Sequence, residues 1–258
     1  MFALLALVIS AGPAPKPMTI GETVTLTSKT LGGEKRRINL YRPPVDPKLA
    51  LPVLLMLDGG LEEDFVHVAG LVQIGASNGT MRPFLLVGIE NTERRRDLTG
   101  PTTNEEDKKV APRVGGSEKF RAFIADELLP WVEANQKVTK ERAIVGESFA
   151  GLFVIETFVE RPDLFTHYVA IDPSLWWNDG KLLPRVEPML HGADGKTLFV
   201  AASNEPDLSA PIATLEGTLK TRAPATLTWR VQKFPNETHA TVFHPAALLG
   251  FRAQLGKP

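Results

Sequence analysis

The segment Ala143-Ile144-Val145-Gly146-Glu147-Ser148-Phe149-Ala150-Gly151 joins a short apolar run to an apolar, helix-compatible stretch over 152–159. A serine on a tight strand-to-helix turn needs small neighbours, because a bulky side chain collides where the backbone reverses. Gly146-Glu147-Ser148-Phe149-Ala150 is therefore a nucleophile-elbow pattern, G-x-S-x-G, ending in alanine where glycine is usual. Such a turn lifts the hydroxyl clear of a sheet and aims the first amides of the next helix at its surroundings. The bland alternative is a Gly/Ser turn capping a helix, since serine is a good N-cap. The context has to decide between them.

Working outward, alternation over 23–30 and 36–42 predicts two antiparallel strands joined by a Gly32-Gly33 turn. Continuous apolar runs at 52–57 and 83–89 suit strands buried on both faces, with a helix between them reaching about Gln73. Residues 91–116 are polar and rich in Gly, Pro and Thr, and a loop of that length is usually functional. Ser117 reads as the N-cap of an amphipathic helix carrying Phe120, Phe123, Ile124, Leu128 and Trp131. Strands at 142–145, 168–171, 197–201 and 226–231 alternate with helical segments, the last helix starting near Pro245 and ending near Leu255. That alternation predicts an α/β fold with a mostly parallel central sheet and helices on both faces.

The chain has 258 residues, 43% of them hydrophobic, and shows no linker-like break, so residues 15–258 read as a single domain. A net charge of -1 gives no electrostatic footprint for nucleic acid or an anionic membrane. Cysteine is absent, and the five histidines show no HExxH pair or ligand-like spacing, which argues against a metal hydrolase. Residues 1–14 form an apolar stretch ending in small residues and proline, too short to span a bilayer. They resemble a secretory signal peptide without its basic start, which predicts a periplasmic or secreted mature chain with no integral membrane segment. If the stretch is instead a buried strand, the protein is cytoplasmic.

A serine hydroxyl needs a base to take its proton, and the base needs an orienting carboxylate. In enzymes with an elbow the chain order is serine, acid, histidine. His239, in Asn236-Glu237-Thr238-His239-Ala240-Thr241 between the last strand and the last helix, is the favoured base over His244. The acid is expected just past the 197–201 strand, where Glu205 is preferred to Asp207, with Glu237 a third choice. Two backbone N–H groups should hold the developing oxyanion. Phe149 follows the nucleophile, and Leu57-Asp58-Gly59-Gly60 is a glycine turn after the first buried strand, which nominates Gly60.

With these pieces placed, the chain resembles the esterase branch of the α/β-hydrolases, and within it the siderophore trilactone esterases of the enterobactin/salmochelin type, with esterase D and feruloyl esterases as further relatives. The likeness is carried by residues 55–59, by Val87-Gly88-Ile89-Glu90-Asn91-Thr92 with Arg94, Arg96, Asp97, Leu98 and Thr99, by 115–130, by the elbow, and by Pro173-Ser174-Leu175-Trp176-Trp177. It implies the α/β-hydrolase fold and a serine carboxylester hydrolase that works through an acyl-enzyme without metal or organic cofactor. It further implies Ser148 as nucleophile, His239 as base, Glu205 in the acid region, and Gly60 and Phe149 as oxyanion amides. The substrate would be a small-molecule ester of small or medium size: a siderophore lactone, an aryl ester or a short-chain acyl ester.

The resemblance also places Arg94 and Arg96 near the substrate mouth, where a guanidinium suits carboxylate or catecholate oxygens, and offers Trp176 as an aromatic wall. The competing reading is that an arginine pairs with Asp97 and staples the long loop. Several residues depart from the family's pattern: Glu147 stands where histidine is common, Ala150 where glycine is, Gly100 where proline is, and Asp172 where serine is. They bear on substrate identity more than on hydrolysis. Acyl transfer to an alcohol acceptor, or a catalytically silent scaffold that binds a ligand through the same pocket, are the alternatives.

Overall fold

The apolar runs form the inner strands of one sheet. The computed structural model describes residues 16–256, so the signal-peptide expectation for residues 1–14 lies outside the described residues. Eight strands lie in the order β1-β2-β4-β3-β5-β6-β7-β8: β1 (Glu22–Ser28), β2 (Glu34–Tyr41), β3 (Leu51–Met56), β4 (Leu85–Ile89), β5 (Val138–Glu147), β6 (His167–Ile171), β7 (Thr197–Ala202) and β8 (Thr228–Lys233). The β1–β2 and β2–β4 pairs are antiparallel and all others are parallel. The antiparallel edge carries the expected hairpin, with Gly32 and Gly33 at positive φ in its turn. Every residue of β4 and β6 is buried, as the absence of alternation implied.

Alternate residues of the parallel strands feed opposite layers. Leu55, Ile144, Tyr168, Ala170, Leu198 and Val200 pack on one face with Phe123, Leu129, Phe153 and Ile212. Met56, Val145, Val169, Ile171, Phe199 and Ala201 pack on the other with Phe65, Val72, Ala247 and Phe251. The helices that cover the sheet are α1 (Phe65–Asn78), α2 (Arg94–Leu98), α3 (Glu105–Val110), α4 (Ser117–Phe123), α5 (Leu129–Asn135), α6 (Phe149–Glu160), α7 (Leu183–Met189), α8 (Pro206–Arg222) and α9 (Phe243–Leu255). Helix α6 is apolar nearly all round and correspondingly buried. A π turn, Ile124–Leu128, links α4 to α5 where Pro130 cannot donate to the ladder. No helix among the described residues is long and apolar enough to cross a membrane.

Two expectations are corrected. Residues 91–116 are not a plain loop but hold α2 and α3, the latter capped by Asn104, whose Oδ1 accepts from the Glu106 N–H at 2.8 Å. Ser117 does not cap α4: Gly116 does, and the Ser117 hydroxyl is fully buried with no partner among the described residues.

This segment is tied down by charge. Asp97 is 2% exposed; it accepts from Arg36 Nη2 at 2.5 Å and from Arg96 Nε at 2.7 Å, and Glu34 receives both arginines. The buried Arg36 guanidinium also stands over the Phe120 ring, 5.2 Å from its centroid. Deleting one partner of such a network strands the others without compensation. Asp97→Ala is expected to cost about 3–5 kcal/mol, read as a lowered urea midpoint with an unchanged slope.

Candidate active site

The chemistry-bearing residues sit at the carboxyl ends of the parallel strands, where the sheet order changes direction on either side of β3 and β5. Ser148 leaves β5 at φ 61° and ψ -120° and opens α6. Its N–H donates to Ile171 O at 3.0 Å and its carbonyl accepts from Ser174 N at 3.1 Å, so β6 and the segment after it hold the turn in this costly conformation. A side chain at Gly146 would run into Ala150, and one at Gly151 into Ile171 O and Pro173. Both glycines are required by space, whereas the Ala150 methyl fits because Gly146 leaves room for it.

His239 lies on the loop after β8. Its Nδ1 is 2.8 Å from Asp172 Oδ2. Asp172, directly after β6, is 0% exposed at φ 44°, and its other oxygen accepts from Ser203 N at 2.9 Å. Burial pushes the Asp172 carboxyl up, but the bonds from His239 and from Ser203 outweigh it and hold it below the ordinary aspartate value. The hydrogen bond to Asp172 raises His239, burial opposes this, and the charges of Glu147, Asp172 and Glu205 add to the rise. Ser148 and His239 line one cavity of about 520 Å³ together with Phe149, Ser174, Trp176, Glu205, Asp207 and Leu208. The Ser148 and Ser174 hydroxyl oxygens are 3.4 Å apart.

The carboxylate bonded to the His239 ring is thus not one of those expected after β7. Glu205 sits at the expected position after β7, but its Oε1 accepts from the backbone N–H of His239 at 2.9 Å and so holds the loop, leaving the ring to Asp172. Asp207 stands exposed in the first turn of α8, and Glu237 meets Asn204 N through its carbonyl. His244 is turned toward His67, Nδ1 to Nε2 at 2.7 Å. The sequence carried one sign of Asp172, namely an aspartate in place of the family's serine between nucleophile and base.

The structure separates the other nominated residues. Phe149 and Trp176 line the cavity, but Gly60 does not, and its N–H donates to Glu63 Oε2 at 2.6 Å. A glutamate three residues along the turn reaches that amide with no long-range folding. Arg94 donates Nε and Nη2 to Asp58 at 2.6 and 2.8 Å, and a longer contact of 3.4 Å reaches Glu147 O. Arg96 is spent on Asp97 and Glu34. Neither arginine lines the cavity, because buried and partly buried carboxylates claim both guanidiniums first.

The sequence profile of the family described as "Putative esterase" matches residues 28–244. The chain belongs to this esterase family. It is 29% identical to the ferri-bacillibactin esterase BesA of Bacillus subtilis (strain 168) over 188 residues, which make up 65% of this chain and 63% of that protein. The chain therefore spans under two thirds of that relative's length. The BES protein from Bacillus cereus superposes with a TM-score of 0.84 at 22% identity, covering 96% of this chain and all 100% of that one. An IroE-like serine hydrolase from Shewanella oneidensis superposes with a TM-score of 0.80 at 29% identity, covering 90% and 79%. The fold is that of the α/β-hydrolases, as the elbow and strand order implied.

At the elbow itself the carboxyl of Glu147 is poorly compensated. Its Oε1 is buried without a hydrogen-bond partner among the described residues. Burial pushes its carboxyl up to about 7; His239 pulls it down, while Asp64, Asp172 and Asp58 add to the rise. Between its ordinary value of 4.5 and about 7 the folded chain holds a proton that the unfolded chain releases, so stability falls with rising pH across that window. The difference corresponds to about 3 kcal/mol. Glu147→Gln is expected to match the parent in urea unfolding below pH 4.5 and to gain up to about 3 kcal/mol above pH 7.

Proposed function

We propose that this chain is a serine carboxylester hydrolase that works through an acyl-enzyme, with Asp172 orienting His239 and His239 activating Ser148. The observation that carries the reading is the His239 Nδ1–Asp172 bond of 2.8 Å in a cavity that also contains the Ser148 turn. With Asp172 accepting from Nδ1–H, Nε2 is the lone-pair nitrogen that takes the Ser148 proton. Ser148 Oγ then attacks the ester carbonyl. The oxyanion forms at the start of α6, where the Phe149 N–H belongs to a first turn without intrahelical acceptors and the helix end is positive. The imidazolium is held by Asp172 and returns its proton to the leaving alcohol. Water, deprotonated by the same nitrogen, releases the acid and restores Ser148.

Glu205 acts on this reading by fixing the backbone of His239, not by touching its ring. The cavity volume falls within the range of sites that enclose ligands of drug size, which suits an aryl ester, a short-chain acyl ester or part of a lactone. The named activity of BesA, on ferri-bacillibactin, keeps a siderophore lactone among these substrates. Export of the mature chain rests on residues 1–14 alone.

Ser148→Ala is expected to abolish turnover of p-nitrophenyl acetate and butyrate and to stop labelling by a fluorophosphonate; a variant that kept most of its rate would overturn the assignment. Asp172→Asn is expected to lower kcat by about 10³- to 10⁴-fold, and Glu205→Gln by no more than about tenfold. Because His239 is raised, the acid limb of the parent's kcat/KM profile should lie above about pH 6.5, moving down in Asp172→Asn as the leading cause of the rise is removed.

A further inference from the structure

The cavity at Ser148 carries more acidic than basic side chains. Among the described residues its lining holds two carboxylates, Glu205 and Asp207, and no lysine or arginine, the imidazole of His239 being its one basic group and already bonded to Asp172. Its apolar wall is made by Phe149, Trp176 and Leu208, the first two rings standing 5.8 Å apart at 58°. The arginines that would reverse this sign are already occupied: Arg94 by Asp58, Arg96 by Asp97 and Glu34. The amino end of α8 offers positive potential here, but Asp207 in its first turn offsets it.

Aromatic faces beside carboxylates attract a cation and repel an anion, and the effect grows as the group is desolvated. We propose that this mouth selects an ester carrying a cationic group, an ammonium or guanidinium, on the portion that lies over Trp176, and rejects esters carrying an anion there. The inference rests on the assignment of Ser148 as nucleophile. It concerns the charge of the substrate, which that assignment leaves open. It narrows the siderophore lactones among the proposed substrates to those that present no anionic oxygen over Trp176, since such an oxygen would meet two carboxylates and no lysine or arginine of the lining. Glu205 contributes charge here in addition to holding His239, whereas Asp207 is exposed and contributes charge alone.

The test uses three acetate esters of matched size whose alcohol portion ends in trimethylammonium, tert-butyl or sulfonate, assayed as kcat/KM on the full chain. The cationic ester is expected to exceed the neutral one by about tenfold at low salt, and the sulfonate to fall below it by a similar factor. The cation-to-neutral ratio should shrink toward one in Asp207→Asn and in Trp176→Leu, each variant being scaled to its own rate on the neutral ester. It should shrink likewise in the parent at about 0.5 M salt. A sulfonate ester turned over as fast as the cationic one, or a ratio unmoved in both variants, overturns the inference even while Ser148→Ala abolishes hydrolysis of the neutral ester. If neutral-ester hydrolysis instead survives Ser148→Ala, the assignment of the nucleophile fails, and the charge inference falls with it.

Discussion

The hydrogen bond between His239 Nδ1 and Asp172 is the constraint from which the rest of the site follows. A carboxylate with no solvent contact is costly to bury unless donors replace its water. Asp172 finds them in the imidazole of His239 and in the N–H of Ser203, which belong to two loops far apart in the chain. Burial of that charge therefore forces the segments after β6, β7 and β8 together. Further ties reinforce the convergence: Phe234 N donates to Ala202 O, and Asn204 N to Glu237 O. The ring can accept a proton at Nε2 only because this framework fixes its other nitrogen.

The backbone at the strand ends shows the same logic. Asp58, Ser148 and Asp172 follow β3, β5 and β6 respectively, and each has positive φ without being glycine. Such residues cost of order 1–3 kcal/mol apiece and persist only where the surroundings over-determine them. At Ser148 the determinants are the bond to Ile171 O, the bond from Ser174 N and the two flanking glycines. At Asp172 they are the N–H donated to Ala201 O and the donors on its carboxylate. At Asp58 it is the Arg94 fork. The sheet supplies rigidity, and the strand ends spend it on aiming side chains.

Much of this was legible in the sequence because it is local or periodic. Continuous apolar runs gave β3, β4 and β6, the G-x-S-x-G spacing gave the elbow, and the loop before the last helix gave His239. What escaped were pairings between residues remote in the chain. Asp172 satisfies the serine–acid–histidine order as well as Glu205 does, and only the geometry of the strand ends decides between them. Arg94 and Arg96 looked available because nothing in their own segment reveals that Asp58 and Glu34 claim them. The Gly60 amide was misread for the opposite reason: Glu63, three residues away, reaches it first.

Glu147 shows why the site tolerates an uncompensated carboxyl. Two carboxylates face one imidazole, Asp172 through a direct bond and Glu147 through space, and both favour the charged ring. On the proposed mechanism that stabilises the imidazolium formed when Ser148 gives up its proton, and it also delays the return of the free base as pH rises. The two carboxylates differ in when they act. Asp172, held below the ordinary aspartate value, is charged across the whole neutral range, whereas Glu147 gains its charge only as the pH approaches about 7. The through-space charge is therefore partly withheld at acid pH, while the direct bond acts throughout. A histidine at this elbow position could not behave so, since its added positive charge would repel the imidazolium instead of stabilising it.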